Sequence, residues 1–214
     1  MILSIDNIKA GIEWWHHKSN WPADLHNKDY YRYYKIRSAG INENWWNLTV
    51  DELSKWRAFR SRYPPNTKDE IKNRGIKVIN IVAEGYNKIV KSTSSEPSID
   101  DVSWEQISSL FEALSNIKPK SAVFAGKSCH FILPKVFIVM DNLGTQVFDY
   151  EFYWRGMKDE WLRFQYKDEA KELLIRNIEG NIRNLKARHK IHPNYPVETK
   201  LMELSHVGYK HGRN

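Results

Sequence analysis

Apolar residues in this chain recur every three or four positions and almost nowhere at every second one. That period puts them on one face of a helix, so the chain is expected to be all-α. Two helix starts are signalled by a hydroxyl followed three residues later by a carboxylate, Thr49 with Glu52 and Thr67 with Glu70, the spacing of a capping box. The second opens a helix with Ile71, Val78, Val82 and Ile89 on one face, running to about Lys91 and weakened locally by Gly75 and Gly85. "STSSEPS", 92–98, reads as a loop and as the boundary between two lobes of a single 1–214 domain. Ile107, Leu110, Phe111 and Leu114 mark an amphipathic helix that stops before Pro119, and a second helix over 121–133 ends at Pro134. A long basic helix is expected over 159–189, with Leu162, Leu173, Leu174, Ile178, Ile182 and Leu185 inward. A short terminal helix over 197–206 follows Pro196.

The 214 residues suffice for a substantial core. A net charge of +7, from 33 Lys and Arg against 26 Asp and Glu, favours a polyanionic partner, nucleic acid before anionic membrane. Nine Trp and eleven Tyr can fill a core, and beside basic charge they also suit base stacking. The lone Cys129 excludes an internal disulfide and leaves no zinc-finger pattern. His189 and His192 have a ligand spacing, but Pro193 follows and no cysteine or carboxylate cluster joins them, so no metal and no cofactor is expected. The first fifteen residues carry acids early and lack the apolar core of a signal peptide, and no run approaches the ~20 apolar residues of a membrane span. A cytoplasmic, monomeric protein outside the membrane is the expectation.

The most informative stretch is "HFILPKVFIVMDN", 130–142, an apolar run that follows a proline and ends in Asp141. One reading is a nucleotide triphosphatase, with "AGKS", 125–128, as the tail of a phosphate loop and "VFIVMD" as the strand whose aspartate serves magnesium. The glycine such a loop needs five residues before Gly126 is Ser121. Lys127 and Asp141 also stand only 14 positions apart, too few for a loop, a full helix and a strand. A second reading is structural: Asp141 is the N-cap of a helix running through Val147, and the apolar run is a buried connector.

A third rests on likeness. The succession helix, hairpin, helix, proline, short apolar segment, aspartate resembles the helix-hairpin-helix DNA glycosylases, and "AGKSCHFILPKVFIVMDN" resembles their divergent members. The resemblance covers about 110–148. Its glycine-rich hairpin is replaced here by "IKPKSA", 117–122, which has no glycine but keeps a proline-lysine-small-alanine order. The resemblance implies two helical lobes with a cleft between them and Asp141 as the catalytic carboxylate facing the scissile bond. It implies Lys120 or Lys127 as a catalytic or DNA-contacting lysine, and Lys118, Ser121 and Ser128 near the DNA backbone. It also implies single-function base excision that leaves an abasic site, with double-stranded DNA as partner. Small stand-alone members of this family excise hypermodified bases, glucosylated hydroxymethylcytosine among them, from phage DNA; repair of alkylated or oxidised bases is the neighbouring option. Base-pocket candidates come from the aromatic stretches 13–21, 30–35 and 44–46, namely Trp14, Trp15, Tyr31, Trp45 and Trp46, together with Asn142. The rival class is a DNA- or RNA-binding helical protein without chemistry, for which charge, aromatics and the basic helix suffice.

Overall fold

The computed structural model describes residues 1–18, 21–59, 64–186 and 188–212. Residues 19 and 20 of the 13–21 aromatic stretch and residue 187 of the basic segment therefore lie outside the described residues. The described residues form ten α-helices and one short 3-10 turn, with no strand. The first five helices are α1 (Ile5–His16), α2 (Asn27–Ser38), α3 (Glu43–Lys55), α4 (Lys68–Ile76) and α5 (Ile79–Ser92). The rest are α6 (Trp104–Ser115), α7 (Ala122–Ile132), α8 (Tyr150–Arg163), α9 (Lys167–Asn184) and α10 (Val197–His211). The fold is all-α. No helix among the described residues is long and apolar enough to cross a membrane. One cluster of buried apolar side chains extends to both sides of the 92–98 loop.

Local signals place several helix ends. Thr67 caps α4, with its backbone N–H donating to Glu70 Oε2 at 2.8 Å and its hydroxyl accepting from the Glu70 amide. Thr49 caps nothing: it lies inside α3, buried, and the start of α3 is set by Asn42, whose Oδ1 accepts from the Trp45 amide at 3.0 Å. The single helix expected over 67–91 is two. Gly75 lies against the Trp46 indole, where a Cβ would come within 2.0 Å of the ring, and Trp46 Nε1 donates to the Lys72 carbonyl at 3.1 Å. That indole occupies the last turn of α4, and the chain restarts as α5. The expected 159–189 helix is likewise two, α8 and α9, separated where Phe164 turns inward to burial. Leu162 and Leu185, expected inward, are more than half exposed as a result.

Helices α1 and α10 lie close enough for backbone contact. A Cβ on Gly11 would stand 1.9 Å from the Leu204 carbonyl oxygen, and one on Gly208 would stand 1.8 Å from that of Asn7. Only glycine permits this approach, which binds the two ends of the described chain together.

The 136–140 segment is buried and lies outside any helix or strand: Val136 ends the turn after Pro134, Phe137 is a bend, and 138–140 follow without regular structure. Its carbonyls therefore need donors from elsewhere. Trp154 Nε1 donates to Val136 O at 2.8 Å, His130 Nδ1 to Phe137 O at 2.7 Å, the Tyr150 hydroxyl to Ile138 O at 2.7 Å and the Tyr153 hydroxyl to Val139 O at 3.3 Å. Four consecutive carbonyls are each satisfied by an aromatic side chain. His130 Nε2 then accepts from the Tyr30 hydroxyl at 2.7 Å, and burial pushes this imidazole down to about 3, so it is neutral. Tyr150→Phe keeps the ring and strands the Ile138 carbonyl. It should cost about 1–3 kcal/mol in a denaturant titration; a loss within error of zero would show that the carbonyl has another donor.

Candidate functional site

The apolar connector ends at Asp141, and the chain turns there at once. Asp141 is not the cap of a helix through Val147, because residues 142–145 form a turn and no helix begins before α8. Its carboxylate caps that turn instead. Oδ1 accepts from the amides of Leu143 at 2.8 Å and Gly144 at 3.3 Å, and the Thr145 hydroxyl donates to the Asp141 carbonyl at 2.9 Å. The turn is held from outside by His211 at the end of α10, whose Nε2 lies 3.0 Å from Leu143 O and 3.1 Å from Gly144 O.

Oδ2 accepts from Lys127 Nζ at 2.7 Å, and the same ammonium donates to the Trp56 carbonyl at 2.9 Å. Lys127 is thus inside the protein, 4 % exposed, while the Asp141 side chain keeps 25 % of its surface. Burial would raise the Asp141 carboxyl. The Lys127 ammonium and the two turn amides outweigh it and hold the group below the ordinary value of 3.8.

Above this pair opens a cleft of about 420 Å³. Its walls are Trp15 at the end of α1, Trp21, Pro22 and His26 before α2, Lys55, Trp56 and Arg57 at the end of α3, and Val123 and Lys127 of α7. Val139, Asp141, Asn142 and Leu143 of the connector and Glu203 of α10 complete it. The aromatic wall is packed ring on ring: His26 stacks on Trp56 at 4.2 Å between centroids, and Trp21 leans on Trp15 at 4.4 Å. Burial pushes the His26 imidazole down to about 4, against its hydrogen bond to Asp29, so it too is neutral. Arg57 reaches the lip through a specific backbone device. Ala58 N donates to Leu53 O at 2.9 Å and Arg57 N to Ser54 O at 3.1 Å, the Schellman pattern, with Arg57 at φ 52 where glycine is usual. A second hollow, also about 420 Å³, shares Trp21, Pro22, His26, Lys55 and Trp56 and continues to Asp29, Arg32, Tyr33 and Glu52. A hollow of about 470 Å³ between the N-terminus and 163–169 brings together Asp6, Arg163 and Glu169 with Phe164 and Tyr166, and shares no residue with the cleft.

Of the residues singled out from sequence, Asp141, Lys127, Trp15 and Asn142 line the cleft. Trp14 stands beside it, stacked on His211 at 4.4 Å and edge-on to Trp21. Trp45 and Trp46 do not reach it, since both are fully buried in the core, Trp46 against α4. Tyr31 is on the outer side of α2, with its hydroxyl on Lys190 O. Ser128 is wholly buried inside α7 and cannot meet a phosphate, and the same burial places "AGKS" in a helix interior and not in a loop. Ser121 caps α7 through the Phe124 amide, with Lys118 and the exposed Lys120 in the turn before it. Sequence reasoning missed His26, Trp56, Arg57 and Glu203. Only Glu203 had a readable signal, a carboxylate inside the apolar run "LMELSHV". Among the described residues no group of three or more His, Cys, Asp or Glu could hold a metal ion.

No family model, no curated protein and no solved structure matches the chain.

Lys127→Met leaves one Asp141 oxygen unpaired and the Trp56 carbonyl without its donor. The expected loss is about 2–3 kcal/mol, below the range for a fully buried pair because Asp141 is partly exposed. The pH dependence carries the sign. With a depressed carboxyl, the wild type has this stabilisation above the ordinary value and loses it as pH falls through the folded value. Without Lys127 only the two turn amides oppose burial, so the carboxyl is depressed less and acid penalises the fold less. The gap between the two proteins should narrow in denaturant titrations taken from neutral pH to below 3.8; a constant gap would contradict the pairing.

Proposed function

We propose that the protein is a DNA glycosylase that hydrolyses the N-glycosidic bond of a flipped base and leaves an abasic site. The observation that carries this reading is an ionised carboxylate, Asp141, fixed by a buried ammonium and two amides in the wall of an aromatic cleft. Breaking an N-glycosidic bond develops positive charge on the deoxyribose, as in glycoside hydrolysis. A carboxylate whose orientation is set before substrate arrives stabilises that charge without reorganising. Trp21 and Trp56 of the cleft wall are the rings against which a base that has left the stack would pack, which offsets the few kcal/mol of unstacking. Lys55 and Arg57 are exposed at the lip, and the capped start of α7 offers free amides to a phosphate. The net charge of +7 supports the same partner.

Two features favour hydrolysis without strand cleavage and the likeness to helix-hairpin-helix enzymes. Lys127 is engaged as an ammonium by Asp141 and Trp56, which leaves no lone pair for attack on the sugar. In the turn joining α6 and α7, Lys120 adopts φ 61, a left-handed backbone that a glycine hairpin would adopt readily. The second hollow gives a base with a bulky polar substituent somewhere to extend. Glucosylated hydroxymethylcytosine, as in phage DNA, is therefore the first substrate to test.

The test is a panel of duplexes carrying cytosine, hydroxymethylcytosine, its glucosylated form, and alkylated or oxidised bases, with alkali-labile sites as readout. Base release is expected from a modified duplex, with no adduct trapped by borohydride. In single turnover, Asp141→Asn should slow release on the order of 10²-fold or more while leaving DNA affinity near wild type. DNA binding without release from any duplex would make the protein a nucleic-acid-binding module. Equal rates for wild type and Asp141→Asn would return the residue to a turn cap.

A further inference from the structure

Glu203 enters the cleft from α10, between Met202 and Leu204, both fully buried. It is 4 % exposed, and it lines the cavity that Asp141 and Lys127 line. Its Oε2 accepts from Lys200 Nζ at 2.6 Å, and no described residue donates to Oε1. Lys200 is 1 % exposed and holds its ammonium 4.7 Å from the centroid of the Trp15 ring, another wall of the cleft. The two carboxyls thus differ in what is left over. Asp141 has both oxygens engaged by fixed donors, which suits it to hold charge and not to move protons. Glu203 has one oxygen uncommitted inside the cavity.

We propose that Glu203 is the second carboxyl of this site and delivers the proton to the departing base, an assignment that rests on the glycosylase reading. Two carboxyls in one desolvated cavity resist being ionised together, so the proton settles on the one with fewer donors. Asp141 has an ammonium and two amides, and Glu203 has one ammonium. Burial lifts the Glu203 carboxyl above its ordinary value against the pull of Lys200, and the Asp141 charge adds to the lift. The charged groups facing it are Lys200 of α10, Lys127 of α7 and Asp141; the phenols of Tyr30, Tyr153 and Tyr195 surround it and stay neutral because burial raises them. In the step, the bond from C1′ to the base nitrogen breaks, its electron pair goes to the base, and the Glu203 proton goes with it. Water adds its oxygen to C1′, and its proton returns to the Glu203 carboxylate. Asp141 stays ionised throughout.

The pH profile follows with its sign. Rate should rise as Asp141 ionises on the acid side, and fall on the alkaline side as Glu203 loses its proton. On the modified duplex that the wild type cleaves fastest, Glu203→Gln should slow single-turnover release about 10²–10³-fold and abolish the alkaline limb, leaving the acid limb in place. Lys200→Met removes the group that favours ionised Glu203 and should move the alkaline limb upward. Carbon-13 NMR of the glutamate carboxyls of the wild type should find Glu203 titrating above the ordinary glutamate value of 4.5, and this reads the group whether or not DNA is cleaved. Glu203 titrating at or below that value overturns the proposal, as does an alkaline limb unchanged in Glu203→Gln. Release lost in Asp141→Asn but unchanged in Glu203→Gln overturns this assignment alone. A raised Glu203 carboxyl in a wild type that releases no base overturns the glycosylase reading and the role of Glu203 with it.

Discussion

A non-helical backbone buried in an all-helical protein has neither helix nor sheet to satisfy its carbonyls, and the 136–140 connector meets that constraint with aromatic donors. Trp154, Tyr150 and Tyr153 stand on one face of α8 and supply three of the four hydrogen bonds, and His130 of α7 supplies the other. An unpaired buried carbonyl costs more than an ordinary hydrogen bond returns, so the segment is pinned along its length. The carboxylate at its end is pinned with it. Lys127 lies one helical turn before His130 on α7, so a single helix face holds both the connector and its terminal charge.

The cleft is assembled from distant parts of the chain. Trp15 comes from α1, Trp56 and Arg57 from the end of α3, Lys127 from α7 and Glu203 from α10. The backbone-to-backbone contact of α1 and α10 at Gly11 and Gly208 sets where Trp15 stands relative to Glu203. The Lys127 ammonium joins α7 to the Trp56 carbonyl and to Asp141, so the catalytic carboxylate of the proposed reaction and one aromatic wall share a single fixed charge. His211, stacked on Trp14, braces the turn whose amides orient Asp141.

Most short-range features were legible in the sequence, the Thr49–Glu52 spacing excepted, and tertiary ones were not. Thr67 with Glu70, the helices before Pro119 and Pro134, and the abrupt end of the apolar run in Asp141 depend on neighbours a few residues away. The breaks after α4 and α8 depend on Trp46 filling the space over Gly75 and on Phe164 entering the core, which no local pattern announces. The tryptophans make the same point. Trp45 and Trp46 match Trp21 and Trp56 in residue type, and tertiary packing alone sends the first two inward, Trp46 against Gly75 of α4 and Trp45 among Tyr33, Ile36 and Phe131. Lys127 was legible as a lysine of interest, but its partners, the Trp56 carbonyl and a turn cap, were not. Arg57 owes its place to a left-handed backbone at a position where a glycine would have been the signal.

The central claim is that the cleft presents a fixed negative charge to a sugar that becomes positive. It can be measured without knowing the base. A duplex carrying a cationic pyrrolidine in place of one deoxyribose imitates that sugar, and a duplex with the neutral tetrahydrofuran at the same position is its control. Transition-state mimics bind far more tightly than ground-state ligands when the site is built for their charge. The account predicts that the wild type binds the pyrrolidine duplex on the order of 10²-fold or more tightly than the control, and that Asp141→Asn brings the two affinities within a few-fold. Equal affinity of the wild type for both duplexes would contradict it.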